Sequence, residues 1–199
     1  MSKDDLLKQI ADTAYNVGFG AKKHFATYDI VEKVPGLIGF ISLAVGVYAL
    51  FIDSLATKPI AALLTVFGIS GLLINNYDGV KQNYEKKGVL LTGLFNELKS
   101  LYYSVKSSTK TQFTEEKATL SEIESRFYEN CISRQILFFS DWYAHYKFFW
   151  QHQIDWVDEQ KKFKFWRDKV PLSLVLSVVV IILGVLWQFL QHCPCKGTP

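Results

Sequence analysis

The sequence predicts an all-α membrane protein: a transmembrane helical hairpin, a cytoplasmic helical stalk and a C-terminal third transmembrane helix. Three observations predict it. First, the blocks Val34–Ile52, Pro59–Tyr77 and Val170–Gln191 contain no Asp, Glu, Lys, Arg or His. A helix needs roughly 18–20 such residues to cross the hydrocarbon of a bilayer. The second block reaches that length only with Pro59 and the polar end Asn75–Tyr77 counted. Second, the loop DSLATKP between the first two blocks is short enough to make them a tight antiparallel pair. Third, the segments outside the blocks carry apolar residues at the 3-and-4 spacing of helical faces. A chain of 199 residues with a net charge of +3 suits one domain, or one with an extension. Nothing in that balance calls for direct contact with nucleic acid.

Residues 1–33 carry ten charges and no apolar run before a cleavage site, so they do not read as a signal peptide. Leu7, Ile10, Ala14, Val17, Ala21, Phe25 and Tyr28 line one face of an amphipathic helix. Ser2 with Asp5 forms a capping-box pattern, and Gly18 with Gly20 predicts a bend. Residues 34–77 then form the two-span hairpin, from the stretch KVPGLIGFISLAVGVYALFID onward.

Lys and Arg retained on the cytoplasmic side set orientation. Five precede the first span, one (Lys58) lies in the first loop, fifteen lie in Asp78–Lys169, and one (Lys196) follows the third block. This predicts a multi-pass membrane protein with its N-terminus cytoplasmic and its C-terminus outside.

Residues 78–140 read as a cytoplasmic helical hairpin divided at SSTKTQFTEE, residues 107–116. Leu91, Leu94, Leu98, Leu101 and Val105 stripe the first helix, which is expected to run straight out of the second span. Thr114 is positioned to cap the second, with Glu115 and Glu116 in its first turn, where negative charge suits the helix dipole. As one helix, residues 115–168 would run about 80 Å against about 45 Å for 78–107. The longer one therefore has to break, at Asn130–Arg134 or Ser140–Asp141.

Residues 141–169 continue an aromatic-rich stretch that begins at Phe138. It reads as a helix along the membrane interface or around the other cytoplasmic helices. Lys161, Lys162, Phe163, Lys164 and Trp166 suit the headgroup layer, where aromatics sit and lysines snorkel. Residues 170–191 form the third span and 192–199 a tail.

Small residues mark the candidate helix-packing or pore faces. Gly39, Ser42, Gly46 and Ala49 line one face of the first span. Ala61, Thr65 and Gly68 line the second, with Gly71 and Asn75 on an adjoining face. Such faces let membrane helices approach closely, within the hairpin or between subunits of a homo-oligomer. Ser42, Thr65, Ser70, Asn75 and Asn76 are then the polar groups available to a pore. The spans hold no charge for a proton relay or coupled transport. Asp141, His145, His152 and either Asp155 or Glu159 fall near one face, but no Glu-x-x-His or His-Glu-x-x-His pattern accompanies them, so no metal site is expected. Cys131 is isolated, and Cys193-Pro194-Cys195 follows the third block. No phosphate loop or nucleophile motif is present. The chain reads as a non-enzyme without a cofactor.

A basic amphipathic helix carrying KKHFATYDIVEK enters a two-span hairpin. NYDGVKQNYEKKGVLLTGLFNELKSLYYSV and LSEIESRFYEN follow as helices. This order resembles the SLATT family, two-span effectors found with nucleotide-synthesising and SLOG-type sensing proteins in bacterial conflict systems. The resemblance covers roughly residues 5–140, with the third span as an addition. It implies an oligomeric membrane effector of a defence system that forms a pore or disrupts the membrane when a partner signals. Leu91, Leu94, Leu98 and Leu101 are the candidate signal or partner contacts, and a soluble sensor or nucleotide-signalling protein the expected partner. The alternative is a non-enzymatic scaffold that recruits a soluble sensor or enzyme to the lipid bilayer.

Overall fold

The computed structural model of the chain describes residues 2–132 and 140–192, with side chains described through residue 188. Among these residues the structure is all-helical, with two long apolar helices and no strands. Residues 1–161 and 162–199 form two compact units.

In the first unit, α1 (Lys3–Tyr48) is one helix of 46 residues. The Ser2 Oγ accepts from the Asp5 backbone N–H, and the Asp5 carboxylate accepts from the Ser2 N–H, so the capping box is complete. The amphipathic segment and the first apolar block are therefore a single element, with Pro35 inside it. The helix ends before the apolar block does: Ala49 is its C-cap and Leu50–Phe51 form the turn.

Helix α1 runs without interruption through Gly18 and Gly20, where the sequence predicts a bend. Both glycines are contact points instead. A Cβ on Gly18 would lie 2.7 Å from the Phe95 ring and 2.9 Å from the Phe148 ring. One on Gly20 would lie 3.3 Å from Phe127. Close approach, rather than flexibility, explains them.

A short 3-10 turn at Asp53–Leu55 leads to α2 (Lys58–Asn75), with Pro59 in its first turn, where a missing N–H costs nothing. The chain then passes through a 3-10 turn at Asp78–Val80 before α3 (Lys81–Ser107). The second apolar helix and the stalk are thus joined by a local tightening rather than one straight run. α4 (Thr114–Asn130) starts one residue earlier than the cap assignment: Phe113 is its cap and makes no side-chain capping bond, while Thr114 is already helical. Glu115 and Glu116 do occupy the first turn.

The long return helix breaks as chain length requires. α4 ends at Asn130 with Cys131 extended, and helix resumes at α5 (Ser140–Phe149) and α6 (Asp155–Lys161). Arg134, Phe138 and Phe139 lie outside the described residues.

The first part of α1 is the centre of the core. Leu6, Ile10, Ala11, Ala14 and Val17 are fully buried, against Leu91, Leu94, Phe95, Leu98 and Tyr102 of α3 on one side. On the other, α5 and α6 add Ala144, Phe148, Trp156 and Val157. The Phe95 ring meets Trp156 at 5.3 Å, and Tyr102 meets it at 5.1 Å. The aromatic-rich segment is therefore, where it is described between residues 140 and 157, largely a wrap around α1. Trp150 and Tyr146 are its exposed exceptions.

The second unit contains a π turn at Phe165–Lys169 and α7 (Leu172–His192). Most of its described apolar side chains are exposed, Leu172, Leu176 and Ile181 among them.

The glycine contacts give the first prediction. Gly18→Ala gains helix propensity of about 1 kcal/mol but must displace two packed rings, so it should destabilise the fold by about 1–3 kcal/mol net. Gly93, also in a helix, has nothing within 4 Å of an added Cβ, so Gly93→Ala should stabilise by up to about 1 kcal/mol. Thermal unfolding of both variants, followed by circular dichroism, reads the opposite signs.

Candidate functional site

The candidate site is the apolar hairpin and the joint that ties it to the bundle. From Pro35 onward α1 leaves the core. Leu37, Phe40, Leu43, Leu50 and Phe51 are all more than half exposed, as are Leu63, Val66, Leu72 and Leu73 nearby in sequence on α2. The two helices meet where Ile38 packs on Gly71, whose added Cβ would lie 3.7 Å from it. Gly39, Gly46 and Gly68 have no neighbour within 4 Å and so take no part in that contact.

The small residues thus divide. Gly71 serves the hairpin, while the glycines of the two predicted stripes face away from it. The Thr65 hydroxyl donates to the Ala61 carbonyl at 2.9 Å and that of Ser70 to Val66 at 2.8 Å. Their hydrogen-bonding is met within α2. Ser42 is half-buried, Asn75 and Asn76 are exposed, and Ala49 is the α1 cap residue rather than part of a helical face.

At the joint, Ile30 and Val31 are buried beneath Val34, Ile74, Tyr77 and Tyr143. Charges surround this plug. Asp29 accepts from Lys33 at 2.7 Å and from Lys147 of α5 at 2.6 Å. Lys147 also stands 4.6 Å over the Tyr143 ring. Burial alone would raise the Asp29 carboxyl, but the hydrogen bonds and charges of Lys147 and Lys33 outweigh it and hold the group below its ordinary value. Lys81, first in α3, bridges Glu32 at 2.7 Å and Asp78 at 2.8 Å, and those bonds raise its pKa. One band of ion pairs thereby links α1, α3 and α5 beside the point where the apolar helices begin.

Leu91, Leu94 and Leu98 are fully buried and Leu101 nearly so. They are the seam between α3 and α1, inside this chain. Farther up, His24 is held by two bonds: its Nδ1 to the Gly20 carbonyl at 2.7 Å, and its Nε2 accepting the Ile132 N–H at 3.1 Å. Burial, then the neighbouring Lys23 and Lys87, hold its pKa below the ordinary value despite the Gly20 bond.

Lys161 ends α6, paired with Asp12 at 2.8 Å and 5.2 Å from the Tyr15 ring, and so belongs to the bundle. In the second unit Lys162 and Lys164 are exposed, Phe163 is half-buried and Trp166 is 78% exposed. The acidic and histidine residues that share a face on paper have separate partners. Asp141 pairs with Lys23, Glu159 with Lys106 and Tyr102, and His152 packs on Phe95. No group of metal ligands occurs among the described residues. Cys131 is exposed, and Cys193 and Cys195 lie outside the described residues.

Sequence reasoning did not single out Asp29, Tyr143 and Lys147. The Asp29–Lys33 spacing was visible as a helical pair, but the link to Lys147 joins positions more than a hundred residues apart.

A helical bundle that hands one of its own core helices on into an exposed apolar hairpin defines a class: helical proteins with a two-helix membrane module. The chain matches the SMODS and SLOG-associating 2TM effector domain 6 over residues 1–187, and it belongs to that family. The match reaches well past residue 140. The matched residues take in the aromatic segment and the third apolar block as far as residue 187. Neither among curated proteins nor among solved structures does a match emerge. The family is one of effector domains in conflict systems, and its association with SMODS and SLOG proteins points to partner proteins.

The ion-pair band generates a prediction with a pH sign. Lys147→Met leaves a largely buried Asp29 with Lys33 alone and should cost about 1–2 kcal/mol at pH 7, after discounting for solvent screening. Because the folded Asp29 value is depressed, its contribution is present above the unfolded value of about 3.9 and is lost as pH falls through the lower folded value. The gap between variant and parent should therefore close below about pH 4. Denaturant titrations across pH check both points.

Proposed function

We propose that this protein is an oligomeric effector of a bacterial defence system that opens a pore in, or disrupts, the inner membrane when a partner signals. α1 from Pro35 and α2 cross the bilayer as a hairpin. The N-terminus and the bundle are cytoplasmic, and α7 makes a third crossing that leaves the C-terminus outside. The observation that carries this reading is the exposure of the hairpin. Most of its apolar side chains are exposed among the described residues, and Gly39, Gly46 and Gly68 offer open backbone on faces the hairpin contact does not use. Lipid covers such a surface before triggering, and other copies of the chain cover part of it afterwards. Ser42, Asn75 and Asn76 then supply polar lining, and the uncharged helices make a weakly selective or dewetting-gated pore.

The chain acts through assembly, without catalysis. The scaffold alternative gains less support, because Leu94 and Leu98, its proposed docking stripe, are already covered by α1.

Inducible expression, alone and with the genomic neighbours, tests the proposal through membrane potential and propidium entry. Gly46→Leu or Gly68→Leu should reduce depolarisation at least about tenfold, since a close helix approach tolerates no large side chain, while insertion is unchanged. Intact membranes with abundant inserted parent protein, or full activity in both variants, would defeat the pore.

A further inference from the structure

The end of α4 is tied to α1 through one imidazole. His24 is 1% exposed, and each of its ring nitrogens makes a bond. Nδ1 meets the Gly20 carbonyl at 2.7 Å, and Nε2 meets the backbone N–H of Ile132 at 3.1 Å. A carbonyl only accepts and a backbone N–H only donates. Together the two bonds require one species: the neutral ring, with its proton on Nδ1 and a lone pair on Nε2. The Ile132 bond joins positions 108 residues apart. It lies just past α4, where Cys131 is already extended. Close by, the Lys87 Nζ donates to the Asn130 Oδ1 at 2.6 Å and ties the last residue of α4 to α3.

A proton on Nε2 does not fit this arrangement. Donor would then face donor, and the bond to Ile132 would be lost. The groups around the ring do not favour the charge either. On α1, Lys23 is the neighbour in sequence, and it takes Asp141, the acid on the α5 side, at 3.1 Å. From α3 come Lys87 and the Tyr84 ring, whose centroid is 6.1 Å away. On the α4 side stands Cys131, whose thiol burial pushes up against the pull of Lys87. A buried cation among cations is unfavourable. Burial, then Lys23 and Lys87, accordingly depress the imidazole against the Gly20 bond.

We propose that His24 is an acid-sensitive latch: the neutral ring holds the chain just past α4 against α1, and protonation at Nε2 releases it. Acid is the releasing direction. A group whose folded value is depressed stabilises the fold above its unfolded value, about 6.5 for histidine. That stabilisation is lost as pH falls through the lower folded value. Ser140, which opens α5, is the eighth residue after Ile132, and α5 carries Lys147 to Asp29 and Tyr143 to the plug. Under the proposed function, freeing the end of α4 slackens the chain that leads into that grip. The latch itself stands apart from the pore, since it concerns the backbone at Ile132 alone.

The test uses the full-length protein in phosphatidylcholine nanodiscs. Hydrogen–deuterium exchange of the Ile132 amide, resolved by overlapping peptides, is read at about pH 7.5 and about pH 5 and divided by its intrinsic rate at each. Protection in the parent should fall at least about fivefold in acid, the contribution of one hydrogen bond. His24→Gln presents an oxygen to the same N–H and does not titrate, so its protection should be equal at the two pH values. The Leu94 and Leu98 amides, in the seam of α3 with α1, report global opening in the same run. Unchanged protection in the parent overturns the latch, whether or not the variant folds. An acid loss that folded His24→Gln keeps also overturns it, as does one that Leu94 and Leu98 share in full. If His24→Gln does not fold, Lys87→Met takes its place. One cation opposing protonation is then gone, so the acid response should shrink, and an undiminished response overturns the latch.

Discussion

One helix has to be core along its first part and surface along its last. α1 runs from Lys3 to Tyr48 without interruption, and every other element of the first unit is placed by how it meets that helix. α3 and α4 lie close to it because Gly18 and Gly88, for α3, and Gly20, for α4, remove the side chains that would hold the axes apart. Their neighbours are large rings, Phe95, Phe127 and Phe25, which fill the room that a missing Cβ leaves. α5 and α6 then close the side that α3 leaves open, through Phe148 and Trp156. The dense contact at Gly18 is shared by α3 and α5, so a change there is felt by three helices at once.

Much of this was legible in the sequence because it rests on local rules. The uncharged blocks, the Ser2–Asp5 box, the leucine stripe of α3 and the need for a break after α4 follow from spacing, capping and length. What was not legible rests on contacts between distant positions. Gly18 and Gly20 have the same composition signal whether they bend a helix or admit a neighbouring ring, and only Phe95, Phe148 and Phe127 decide it. The stripe Leu91–Leu101 reads equally as an outer docking face or an inner seam until α1 is found upon it. The candidate site splits for the same reason. The small residues of both apolar helices were visible, but that Gly71 turns to Ile38 while Gly39, Gly46 and Gly68 turn away depends on how α1 and α2 pair. The Asp29–Lys147 link, between elements far apart in sequence, had no local signature.

The continuity of α1 also bears on how an event in the bundle reaches the hairpin. A loop between bundle and hairpin would absorb a small displacement. A helix carries it, because its hydrogen-bond ladder resists both stretching and twisting. The ladder has one weak point. Pro35 has no N–H to give and crowds the carbonyl four residues earlier, that of Val31. Val31 is a buried member of the plug beneath Tyr143 and Tyr77, and Asp29, one turn earlier than Lys33, is clamped by Lys147. The least stiff position of α1 is therefore bracketed by the contacts that α5 and the end of α2 make with it. Under the proposed function, loosening α5 would remove the Lys147 clamp and part of the Tyr143 cover together, and α1 would be freed to bend where its backbone is already short of a bond. A signal received anywhere on the bundle need move only that grip, by the width of a side chain, to change the angle at which the first apolar helix leaves it.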